Sequence, residues 1–176
     1  MVKQNSTKAW LLASRPKTLT AASIPVMLGC ALASMYGHFQ LIPAILCFLF
    51  AFLMQIDANF INDLYDYLKG SDSEDRLGPE RACAQGWISP SGMKKGILVT
   101  TALAAVTGLF LLGYGGWEMI PVGIACIIFA FLYTTGPYPL AYHGWGDILV
   151  LVFFGFVPVG CTFYVMAHDW NTSVTM

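Results

Sequence analysis

The chain has 176 residues, 57% of them hydrophobic and only 11% charged, with a formal net charge of -1. An average soluble domain carries roughly 25% charged residues, so this composition excludes an ordinary water-soluble domain and suits lipid. The small total charge hides an uneven distribution, because the charged residues fall in a few short stretches between long apolar runs.

Lys3, Lys8, Arg15 and Lys17 lead into the first apolar run without a small-residue cleavage site ahead of a polar domain, so the first helix is expected to stay in the membrane. Crossing a hydrocarbon core of about 30 Å takes roughly 17 to 25 apolar residues as a helix. Five runs meet that length, at 18–36, 41–61, 96–114, 118–135 and 147–167. An all-α, polytopic transmembrane bundle of about five helices is therefore predicted. Pro25, Pro43, Pro121 and Pro158 fall within or at the ends of these runs, where they predict kinks, since neighbouring helices can satisfy the freed carbonyls.

Orientation follows from the basic residues. Four precede the first run, and Lys69, Arg76, Arg81, Lys94 and Lys95 fall between the second and third, so all nine lie on one side, which the positive-inside rule makes cytosolic. The turns at 37–40 and 115–117 and the tail after Ala167 carry none. Trp10, Trp87, Trp117, Trp145 and Trp170 fall near helix ends, as interfacial belts require. The segment 62–95 is longer than a connection between packed helices needs, which marks it as functional, and Ser89-Pro90-Ser91 is a helix-start signal. Cys30, Cys47, Cys83, Cys126 and Cys161 never form a CxxC pair and read as small apolar residues; His38, His143 and His168 are equally scattered.

Chemistry concentrates in the run from Gln55 to Asp72. At 100° per residue Gln55, Asn59, Asn62, Asp63 and Asp66 fall within an arc of about 100°, so one face of the second helix is polar as it leaves the bilayer and cannot rest against lipid. Carboxylate and amide oxygens three and four residues apart suit a hard divalent cation such as Mg²⁺; the alternative is a solvated helix end with ordinary acids. Asp57 lies on the opposite face, as a separate buried polar residue. Then follows 71–81, dense in acids, with Arg76 and Arg81, whose forks match phosphate oxygens; a salt-bridged loop is the alternative there.

The pattern of Asn62, Asp63, Asp66 and Asp72, with the stretch Asp75 to Arg81, resembles the first aspartate-rich motif of the UbiA superfamily of intramembrane aromatic prenyltransferases, and within it the 1,4-dihydroxy-2-naphthoate polyprenyltransferases. Ala9-Trp10 with Arg15 to Leu19, and Tyr133 to Leu140 running on to Gly144-Trp145-Gly146-Asp147, agree with it in order and side. The resemblance implies Mg²⁺-dependent transfer of a polyprenyl group from polyprenyl diphosphate to 1,4-dihydroxy-2-naphthoate, with loss of carbon dioxide, giving demethylmenaquinone. It implies Asn62, Asp66 and Asp72 as metal ligands; Asp63, Asp66, Arg76 and Arg81 as catalytic residues; and Asn59, Asn62, Lys69, Asp72, Tyr133 and Tyr142 as substrate-binding residues.

It also implies a multi-pass protein of the inner membrane, no nucleic-acid partner, and a fold of about nine helices, each of the length the bilayer sets. Residues 1–176 resemble the N-terminal portion of that fold, and a second aspartate-rich motif is absent, so a C-terminal half is the expected partner and the chain by itself is expected to hold metal and donor poorly. The 136–145 loop also lacks the basic residue many relatives carry. Transfer to another aromatic acceptor, or a non-catalytic membrane fragment or carrier, stay open as alternatives.

Overall fold

The computed structural model describes residues 2–70, 80–135, 144 and 146–168. Every regular element among them is helical. The first, α1 (Thr7–Ser14), starts on Ser6, whose hydroxyl accepts from the Ala9 amide, and stops at Arg15, whose left-handed φ of 50° turns the chain. Pro16 then opens α2 (Pro16–Met35), where a proline costs no hydrogen bond. Too short to show a clear period, α1 went unseen in the sequence.

Next, α3 (Leu41–Leu68) has 28 residues, roughly 42 Å, and outruns a hydrocarbon core of about 30 Å. The expected end at residue 61 marks where hydropathy falls; the backbone ladder runs on for two more turns. Beyond the connection 69–89, α4 (Pro90–Gly115) begins on Ser89, whose hydroxyl accepts from the Gly92 amide at 3.1 Å, so the expected 62–95 loop is helical at both ends. At 16 residues, roughly 24 Å, α5 (Met119–Thr134) is the short member. Finally, α6 (Gly146–Leu151) passes through a π-helical turn at Val152–Phe156 into α7 (Val157–Ala167). Pro158 follows that wider turn, which accommodates a ring that would clash in a continuous α-ladder.

Four helices, α2, α3, α4 and the combined Gly146–Ala167 run, are long and apolar enough to cross a membrane, and α5 is a shorter apolar helix. The protein is a polytopic membrane helical bundle. At its centre, α3 packs on α1, α2, α4, α5 and α7. Where α2 meets α7, Gly29 permits the approach: a Cβ there would lie 2.7 Å from both Thr162 Cβ and Val159 O. Buried clusters succeed one another along the bundle, from Ala9, Phe60, Ala82 and Met93 at one end, through Val26, Leu111 and Val165, to Ala33, Ala44 and Phe163 at the other. The first cluster holds α1 and the start of the 80–89 segment together, so the N-terminus and the motif connection share one end of the molecule. Cys30, Cys47, Cys126 and Cys161 are free thiols.

Candidate active site

The polar face of α3 reaches that end and meets a different neighbour at each residue. Asn59 donates its amide to the Ser14 carbonyl and the Thr18 hydroxyl, both at 3.0 Å, binding α3 to the corner between α1 and α2. Asn62 accepts from the Thr134 hydroxyl at the end of α5, and Lys69 donates to the Thr134 carbonyl. Asp63 is fully buried, and its two carboxylate oxygens accept from the Ala82 and Cys83 amides, each at 2.8 Å.

Those two bonds fix the chain just after Arg81. Turn bonds from Trp87 and Ile88 to the Ala82 carbonyl fold the segment back, and Asn5 donates to the Trp87 carbonyl at 2.8 Å. Arg81 is thereby delivered to Asp66, with Nη2 2.5 Å from Oδ2 and both residues 6% exposed. A buried ion pair is a weak source of stability because desolvation offsets most of the attraction. Here it sets a cation beside the end of an acidic helix face.

Beneath this face lies a cavity of about 420 Å³ lined by α2 to α7. Its walls are apolar, with Phe50, Leu111, Phe153 and Val165 among them, and Ala51, Ala58, Gly108, Gly123 and Ala130 supply the small side chains that leave the space. Thr18, Gln55, Asn62 and Tyr133 bring polar groups to the wall. Asn62 belongs to both the cavity and the polar face, so the two are continuous.

Asn59, Asn62, Asp63, Asp66, Lys69 and Arg81 thus gather at one end of α3, with Tyr133 on the cavity wall beside them. Asp72, Arg76 and Tyr142 lie outside the described residues. Asp57 faces away, into α4, where it accepts from the Thr100 hydroxyl and, at 2.8 Å, from the Thr101 hydroxyl. Two contributors went unread in the sequence: Thr134, whose only signal was its place beside Tyr133, and Gln55 as a cavity wall. Among the described residues no three His, Cys, Asp or Glu side chains converge on one point.

A polar, arginine-backed helix end thus stands above an apolar cavity in a polytopic membrane bundle. The model of the UbiA prenyltransferase family matches residues 22–176, and the chain belongs to that family. It is 40% identical over 168 residues to the 1,4-dihydroxy-2-naphthoate octaprenyltransferase of Escherichia coli (strain K12), covering 92% of this chain and 54% of that one. With the enzyme of the same name from Haemophilus influenzae the identity is 37% over 178 residues, covering 96% and 58%. UbiA prenyltransferase domain-containing protein 1 of Danio rerio is 31% identical over 167 residues, covering 86% and 46%. The chain spans about half the length of these curated relatives.

Proposed function

We propose that the chain forms the donor-binding half of an aromatic prenyltransferase that moves a polyprenyl group from its diphosphate to 1,4-dihydroxy-2-naphthoate, releasing diphosphate and carbon dioxide, to give demethylmenaquinone in its reduced, hydroquinone form. The observation that carries this reading is the continuity of the Asn62–Asp66–Arg81 face with the apolar cavity. A diphosphate needs cations and donors; its polyprenyl tail needs a dry, apolar space. The names of the relatives supply the aromatic acceptor.

In this reading Asn62 and Asp66, one turn apart, are the oxygen ligands for Mg²⁺, joined by Asp72. All-oxygen donors fit that ion in kind, and substrate phosphates complete its shell. When bound, Mg²⁺ offsets charge developing on the leaving diphosphate. Arg81 and Arg76 stabilise the same charge through the forked geometry of guanidinium. Asn59 and Lys69 act by holding α2 and α5 against the donor site, and Tyr133 and Tyr142 flank the reacting centre. Asp63 serves the site by positioning, since both its oxygens are committed to the backbone beside Arg81. Cleavage of the donor's C–O bond leaves an allylic cation, which the cavity shields from water until the electron-rich ring attacks it. The motif end faces the cytosol across the inner membrane, and a C-terminal half carrying a second aspartate-rich motif completes the site.

The test compares Asp66→Ala with Asp57→Ala in an assembly completed by that half. Conversion of radiolabelled polyprenyl diphosphate with dihydroxynaphthoate is followed in membranes holding matched amounts of protein. Asp66→Ala should lose about 10²- to 10³-fold in rate, the usual cost of one such electrostatic contact. Asp57→Ala should keep most activity per folded molecule. Equal rates for Asp66→Ala and the unaltered protein would remove the assignment.

A further inference from the structure

Gln55 is 9% exposed and stands in the wall of the apolar cavity, in the middle of a membrane-spanning helix. Its orientation is fixed by a chain of hydrogen bonds. The Ser14 carbonyl can only accept, so Asn59 must turn its amide nitrogen toward it, as observed at 3.0 Å. The Asn59 oxygen therefore faces Gln55, and Gln55 Nε2 donates to it at 3.3 Å. What Gln55 has left for the cavity is its carbonyl oxygen and the second N–H of its amide. Of the other polar groups in the wall, Thr18 donates to the Arg15 carbonyl and accepts from Asn59, and the Asn62 oxygen accepts from Thr134, while Asn62 and Tyr133 stand nearer the polar end of α3.

We propose that Gln55 Oε1 is the docking point for an aromatic hydroxyl, accepting the O–H of a ring bound in this cavity. A single amide in a largely apolar wall favours a ligand that is apolar over most of its surface and carries one hydroxyl, which describes a phenol or naphthol. The placement suits it: Gln55 lies two turns, roughly 10 Å, from Asn62 on the same face, which leaves room for one ring between the diphosphate end and the amide. The inference rests on the transferase reading for its biological ligand, since it supplies the ring-holding contact that the donor site lacks. It adds a discriminator: a free hydroxyl can donate to Gln55 Oε1, whereas an ether has no hydrogen to donate.

The 176-residue chain, whose own helices line the cavity, is placed in lipid nanodiscs, and ¹⁹F NMR follows saturable binding of 4-fluoro-1-naphthol and of its O-methyl ether, with empty nanodiscs as the partition control. The naphthol should bind about tenfold more tightly than the ether, the value of one buried hydrogen bond. Gln55→Met should bring the two within about twofold while ether binding is retained, which reports an intact cavity. If Gln55→Met binds neither, Gln55→Asn decides, since it keeps an amide but withdraws the oxygen by one methylene and should lose the preference alone. An unaltered protein with no preference, or a preference that survives either substitution, overturns the proposal. No metal or diphosphate is present, so the result stands apart from the Asp66→Ala outcome.

Discussion

Asp63 and Asp66 lie one helical turn apart and divide the labour of a single connection: Asp63 binds the backbone of Ala82 and Cys83, while Asp66 binds the side chain of Arg81 immediately before them. The carboxylate that touches the guanidinium depends for its partner on the carboxylate that does not.

Asp63→Asn should therefore loosen the segment 80–88. An asparagine offers one oxygen to two amides, and turning its NH₂ toward the second leaves two donors facing each other; losing a hydrogen bond to a charged group costs about 1.5–3 kcal/mol. Cys83, 4% exposed, is a built-in reporter. Its alkylation by the membrane-permeant N-ethylmaleimide, measured by mass spectrometry, should accelerate roughly 10- to 100-fold, the factor that free-energy range implies. An unchanged rate would show that the two bonds do not hold the segment.

Arg81→Ala takes the guanidinium from a buried carboxylate, a change that typically costs about 3–5 kcal/mol. Yield of folded protein after mild detergent extraction should fall sharply. Arg81→Lys should recover most of the yield, because a charge is restored, while in the completed assembly transfer stays roughly 10- to 100-fold low, because the fork is not restored. Full activity in Arg81→Lys would reduce Arg81 to a structural ion pair.

The close approach of α2 and α7 gives a prediction free of any assumption about function. Gly29→Ala should destabilise by about 1–3 kcal/mol, because the new methyl has backbone on one side and a β-branched side chain on the other. Gly113, also helical, has nothing within 4 Å of an added Cβ, so Gly113→Ala should be neutral or stabilising by up to about 1 kcal/mol. Thermal unfolding in one detergent compares the two. Equal melting temperatures would refute the contact.

Membrane orientation is best read at exposed sites on opposite ends. Gln85 and His38 are both exposed, whereas Cys83 is too buried to report. In right-side-out vesicles a membrane-impermeant maleimide should modify His38→Cys and spare Gln85→Cys, with the reverse in inverted vesicles. The opposite pattern would invert the topology that the nine basic residues imply.

The helical class and the polar face of α3 were legible because both are periodic: long apolar runs, and polar residues at three- and four-residue spacing. The extent of α3 was not, since hydropathy reports the solvent around a helix and is silent on its hydrogen-bond ladder. Nor was the job of Asp63, because its partners are backbone amides about twenty residues away and carry no side-chain signature. The cavity escaped for a related reason. Its small residues, such as Ala51 on α3, Gly108 on α4 and Gly123 on α5, belong to separate helices and become a void only when packed.

The polar residues of α3 have a consequence for assembly. Asp57 reaches α4, Asn59 the α1–α2 corner, Asn62 the end of α5, and Asp63 the segment after Arg81. Lipid tails are as apolar as leucine, so side-by-side association of such helices is nearly degenerate with respect to rotation about their axes. Four ties pointing outward in four directions remove that degeneracy. Turning α3 by one residue, 100°, would carry every one of them off its partner at once, and lipid supplies no replacement donors or acceptors. The residues proposed to hold the donor share a helix segment with those that clock the bundle, so the site and the rotational register of its scaffold are selected together.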